Sequence, residues 1–179
     1  AQCSGGSKRH ASPLEYTVEA SASGELQTVA AKIAMDGGSQ KDVSSSVLKL
    51  GHHSSAGPYR FGKWDLEAVS LRNRGPLAGS MRGFGIPQVL FGLEQAIDQV
   101  AIDLDLDPIA LRLRNVVDEE DVDIHNVPLV HDVRNRQVLS AAASHPLWQR
   151  RGGSADDGLL RGVGFAMAME AYGTGADAA

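Results

Sequence analysis

At 179 residues, with 42% hydrophobic and 22% charged residues, the chain is long enough to bury a substantial core and ordinary for a globular protein. Its net charge of −5 argues against a nucleic-acid or anionic-membrane surface, and no apolar run approaches the length of a membrane span. The single cysteine, Cys3, excludes an internal disulfide and a cysteine-ligated zinc or iron–sulfur site, and fits a reducing, cytoplasmic location.

Residues 1–12 are rich in Ser and Gly and read as a lead-in. Polar and apolar residues alternate from Glu15 to Ala20, the pattern of a half-buried strand. After a turn over 21–24, residues 26–35 place Val29, Ala31, Ile33 and Met35 on one face, which predicts an antiparallel hairpin. Asp36-Gly37-Gly38 ends it as a turn. Residues 43–55 are ambiguous, with Val47, Leu48 and Gly51 pointing to a short helix, and 65–71 alternate again as a third strand.

Leu93, Ile97, Val100 and Leu104 then recur at helical spacing, with Glu94, Asp98 and Asp105 expected to fall largely away from that stripe. Asp107-Pro108 is an N-cap followed by proline in the first turn, and opens a helix carrying Ile109, Leu111 and Leu113. The acidic run 118–123 reads as a solvated loop. Residues 137–143 look helical and stop before His145-Pro146. A polar, glycine-rich linker over 150–158 precedes 163–169, which reads as a buried fourth strand. Hairpin strands with grouped helices favour an α+β class, a two-layer arrangement in which a mostly antiparallel sheet carries helices on one face.

The most informative stretch is Gly79-Ser80-Met81-Arg82-Gly83-Phe84-Gly85-Ile86-Pro87-Gln88, a glycine-punctuated loop running into the longest helix. Missing Cβ atoms let a backbone approach a ligand closely, and a helix N-terminus favours negative charge. Arg82 adds a planar, permanently charged fork and Phe84 a ring that can stack on a planar ligand. The same residues also suit a tight turn closed over its own phenylalanine. Adjacent His52 and His53 diverge on a strand or a helix, and no spacing of the six histidines suits a shared ion, so no metal site is expected. Asp36 suits a turn, whereas Glu170, after an apolar run late in the chain, is a candidate pocket residue.

Gly57-Pro58-Tyr59, the string from Asn73 to Gln88, Leu93-Glu94-Gln95-Ala96-Ile97-Asp98 and Asp107 to Asn115 together resemble the molybdenum-binding subunit of the xanthine dehydrogenase and aldehyde oxidase family. Lys8-Arg9-His10 upstream, and Arg161 to Phe165 with Tyr172 to Gly175 downstream, resemble that family's flanking segments in the same order. The resemblance implies that residues 1–179 form a single domain, an internal segment of a larger subunit. It implies that Arg82 and Gly83 contact a molybdopterin cofactor, Arg82 largely through its backbone, and that Phe84 and Tyr172 contact substrate. The parent would hydroxylate an N-heterocycle or an aldehyde with water as oxygen source. Electrons would leave through iron–sulfur clusters to FAD on partner domains or subunits. A homo-oligomer is expected.

Several family features are missing. The Gly-Gly-Lys motif, the Met-Gly-Gln-Gly stretch and the general-base glutamate do not occur on this chain. No catalytic residue is therefore assigned to it, and the segment alone is expected to be inactive. Leu50 stands where purine oxidases carry an arginine, which argues against xanthine, and the loop has no cysteine of the carbon-monoxide-oxidising branch. A second expectation, of a different class, is a non-catalytic assembly module that retains the fold.

Overall fold

The computed structural model describes residues 8–39, 43–129, 133–151, 159 and 161–169. Strands β1 (Leu14–Ala20) and β2 (Leu26–Asp36) form the expected antiparallel hairpin. Its turn closes with the Gly24 amide donating to Ser21 O at 2.8 Å. Chain crossover through α1 (Ser44–His53) then brings β3 (Lys63–Leu71) alongside β2 in parallel, giving sheet order β1-β2-β3. A parallel neighbour requires such a crossover, so β2–α1–β3 is one βαβ unit within an α+β fold. The ambiguous stretch before residue 55 is thus helical.

The alternation read along β2 is realised: Val29, Ala31, Ile33 and Met35 are all at most 3% exposed. The longest helix, α2 (Ile86–Asp103), lays Val89, Leu93, Ile97 and Ala101 onto this face, each fully buried. Leu14, Tyr16, Val18, Trp64, Leu66 and Ala68 pack around the same core from the flanking strands. Tyr16 is pressed against α2 at Gly92, and its hydroxyl donates to Ser55 O at 3.2 Å. Burial raises the phenol's pKa well above the ordinary range. On the opposite face the sheet presents charge, with Lys32 between Glu15 and Glu67 in register.

Beyond α2, Asp107 caps α3 (Pro108–Asn115) by accepting from the Ile109 and Ala110 amides, as its place before proline predicts. With α4 (Asn135–Ala143) and α5 (Pro146–Gln149) it builds a second apolar cluster of Ile109, Val116, Leu139, Trp148 and Met167. Most of the 150–158 linker lies outside the described residues.

Two expectations are corrected. Residues 161–169 form no strand, and among 163–169 only Met167 is buried. This stretch alternates with Gly and Ala, which offer little apolar area. Its Met167 amide bonds to a side chain, Glu94 Oε2 at 2.8 Å, instead of a ladder. Glu94 is also not a solvent-facing residue: it is 5% exposed, on the flank of the apolar stripe.

Candidate functional site

The loop ahead of α2 turns through three consecutive positive-φ residues, Gly83 (+87°), Phe84 (+46°) and Gly85 (+100°). Glycine takes these angles without strain, whereas a phenylalanine there costs about 1–3 kcal/mol and needs its surroundings to hold it. The turn is closed by the Phe84 amide donating to Met81 O at 2.8 Å and the Ile86 amide to Gly83 O at 2.9 Å. Gly85 is jammed against α1, since a Cβ there would lie 2.3 Å from Val47 O. The loop is therefore seated directly on another helix's backbone.

Arg9 holds the same loop from the other side. Its guanidinium donates to Arg82 O at 2.8 Å and to Gln88 Oε1 at 3.3 Å. The flanking backbone is tied down too, with the Lys8 amide donating to Leu77 O and the Gly79 amide to Lys8 O, both at 3.0 Å. With its carbonyl thus engaged, Arg82 leaves an exposed guanidinium that pairs with no described residue. Two permanent positive charges stand at one corner of the loop.

A groove of about 690 Å³ opens beside this corner. One wall is α2, with Ile86, Leu90, Glu94 and Asp98; the other is the segment 166–169; Gly83 stands at one end. Phe84 is half-buried against the main core and does not line the groove. Tyr172 and Glu170 lie outside the described residues. The structure thus assembles Arg82, Gly83 and Phe84 with Arg9.

Sequence reasoning missed the charged centre behind the α2 wall. Arg112 is fully buried and all its N–H groups are used. Nη2 donates to Glu94 Oε2 at 2.8 Å and to Glu94 O at 3.3 Å; Nη1 donates to Asp98 Oδ1 at 2.8 Å and Pro108 O at 3.1 Å. Nε is shared between Tyr59 Oη at 3.0 Å and Glu94 Oε2 at 3.1 Å. Tyr59 in turn donates to Glu94 Oε1 at 2.6 Å. Burial, then the adjacent Glu94 charge, drives the Tyr59 phenol far above its usual pKa. Burial alone would lower the Arg112 pKa, but the negative groups around it more than compensate and hold it charged. The available signal was geometric: Glu94 and Asp98 are four residues apart and share a helix flank, and Arg112 sits three after the buried Ile109.

A glycine loop entering a long helix, held by the Arg9 guanidinium at the Arg82 carbonyl and standing at one end of a groove, is a backbone site with positive charge beside it. The family model of the molybdopterin cofactor-binding domain matches residues 2–116, and the chain belongs to that family. It is 33% identical over 177 residues to one subunit of a probable xanthine dehydrogenase of Bacillus subtilis, covering 95% of this chain and 23% of that protein. It is 26% identical over 161 residues to a putative xanthine dehydrogenase molybdenum-binding subunit of Escherichia coli, covering 88% of this chain and 21% of that one. The aldehyde oxidoreductase of Desulfovibrio gigas shares the fold, with a TM-score of 0.75 at 19% identity over 80% of this chain and 15% of that chain. The chain therefore spans less than a quarter of the length of these curated relatives. No helix among the described residues is long and apolar enough to cross a membrane.

Proposed function

We propose that this chain, as one domain of a longer molybdenum-binding subunit, forms part of the wall around the cofactor and substrate of a molybdenum hydroxylase. Its residues fit molybdopterin at the loop corner. Gly83 offers backbone free of side chain there, Arg9 holds the Arg82 carbonyl, and the exposed Arg82 guanidinium, unpaired among the described residues, suits the cofactor's anionic groups. That corner is the observation that carries the reading. When bound, molybdopterin supplies the redox chemistry. The chain's own part is to place the Arg82–Gly83 backbone, neutralise negative charge, and present the half-buried Phe84 ring to a planar substrate.

On this reading the substrate is an N-heterocycle or an aldehyde and the inserted oxygen comes from water. Both classes are in keeping with what the relatives are called, xanthine dehydrogenases and an aldehyde oxidoreductase. Iron–sulfur and FAD groups on partner domains or subunits would take the electrons. Because the 179 residues carry no catalytic glutamate of the expected kind, they are inactive alone. The test is oxidation of a panel of heterocycles and aldehydes by the intact complex in oxygen-18 water. Label in the product supports the reading, and absence of turnover by molybdenum-replete complex overturns it.

The assembly-module reading rests on a different observation: Phe91 and Ile102 are each 69% exposed on α2. Such a module would pair with itself through that helix. Light scattering that finds a monomer, unchanged on Phe91→Ser, removes it.

A further inference from the structure

One carboxylate joins four separate parts of the chain. Glu94 is on α2, the helix that begins at the glycine loop. Its oxygens accept from Tyr59 ahead of β3, from Arg112 on α3, and from the Met167 amide of the segment facing α2 across the groove. The bond to Met167 is the notable one. Ala166 and Ala168 on either side are exposed, so Met167 is the buried residue through which this part of the segment meets α2. The neighbouring anchor is made by the same pair's cation, since the Phe165 ring lies 5.7 Å from the Arg112 guanidinium carbon. Phe165 also meets Trp148 edge-on at 6.4 Å between ring centres.

We propose that Glu94, held by Arg112, is a positioning residue for the groove: it fixes segment 165–169 at a set distance from α2 and so sets the width of the cavity ending at Gly83. The chemistry is suited to that task. A carboxylate that accepts from three N–H groups and a phenol cannot rotate without orphaning buried donors. Its charge is matched locally by a fully buried, always-protonated guanidinium. Asp98, 43% exposed at its side chain, takes the remaining arm of Arg112 and leaves Glu94 free to hold the segment.

The inference concerns the same cavity as the hydroxylase reading and rests on it only for its effect on substrate. The primary readout is amide hydrogen exchange on the intact protein, which needs no cofactor. In wild type, the Met167 amide exchanges at least about tenfold slower than those of Ala166 and Ala168. In Glu94→Leu, which removes both acceptor oxygens, that protection disappears while Leu93 and Ile97 stay protected. Met167→Ala keeps the N–H but loses the same side chain from the second apolar cluster and serves as the control, in which protection at residue 167 stays. If Glu94→Leu does not fold, Met167→Pro replaces it, removing the attaching N–H and leaving the buried pair intact. There the amides of Phe165 and Ala168 exchange faster, with the α2 core unchanged.

Equal rates at Met167 and its neighbours in wild type overturn the proposal. So does an unchanged segment in folded Glu94→Leu or Met167→Pro. In the loaded enzyme, Met167→Pro raises KM several-fold with kcat held, as loss of uniform binding does. A purely structural lesion would lower the active fraction at constant KM, and that result also counts against positioning. If the exchange results hold but no heterocycle or aldehyde is oxidised, the attachment stands and the hydroxylase reading falls.

Discussion

Replacing Arg112 by methionine should be among the most damaging single changes available to this fold. The side chain is 0% exposed and its partner Glu94 carboxylate 7% exposed, so neither charge can turn to water once the other is removed. At an effective dielectric near 20, unit charges about 4 Å apart attract by about 4 kcal/mol. Breaking one side of a buried pair costs about 3–5 kcal/mol, most of it the penalty for the charge left behind. Asp98 contributes little, because its side chain is 43% exposed and stays solvated. For a chain of this size the loss translates to a fall in thermal midpoint of about 6–20 °C. Urea denaturation followed by circular dichroism should give the same loss in midpoint with an unchanged slope. The double variant Glu94→Leu/Arg112→Met should recover much of it, leaving about 1–3 kcal/mol for the orphaned Tyr59 hydroxyl and Met167 amide. A single variant within about 1 kcal/mol of wild type, or a double variant worse than the single, would refute the reasoning.

Other outcomes follow from particular contacts. Gly85→Ala, at φ +100° and with its Cβ aimed at Val47 O, should lose more than about 2 kcal/mol in thermal unfolding. Gly162→Ala, with open space around it, should stay within about 0.5 kcal/mol. Asp107→Ala deletes the α3 cap and the acceptor for Trp148 Nε1 at 3.3 Å, so about 1–2 kcal/mol should be lost with a shift in tryptophan emission. His53 titrates below its ordinary 6.5, because burial and then the charges of His125, His52 and Lys49 disfavour its protonation against the pull of Asp123. Between 6.5 and that lower value the unfolded chain binds the extra proton, so this contribution is whole above 6.5 and falls away as pH drops through the window. His53→Gln should therefore flatten the decline in melting midpoint below pH 6.5, and an equal decline in both proteins would count against it.

The hairpin, the third strand, the long helix and the Asp107 cap were legible because each rests on a local rule: period two, period 3.6, or a capping side chain before proline. The crossover that makes β3 parallel was not, since nothing local in residues 37–62 says on which edge of β2 the chain returns. The segment 163–169 misled for a related reason. Its alternating small and apolar residues mimic a strand, but the acceptor for its one buried amide comes from Glu94, 73 residues away in sequence. The glycine loop was legible as a turn, since its glycines supply two of the three left-handed residues. Its clamp by Arg9 was not, because that contact joins residues 73 apart. Arg112 hid in plain view among Leu111, Leu113 and Arg114, where only the packing of α2 against α3 decides which cation is buried.

The position of the metal in the loaded protein tests the role of the Arg82–Gly83 loop most directly. A molybdenum-edge anomalous difference map of the intact, cofactor-loaded protein should place its peak on the solvent side of the Arg82–Gly83 backbone, nearer that loop than any other loop of this chain. A peak beyond the charged outer face of the sheet, or beside α4 and α5, would contradict it.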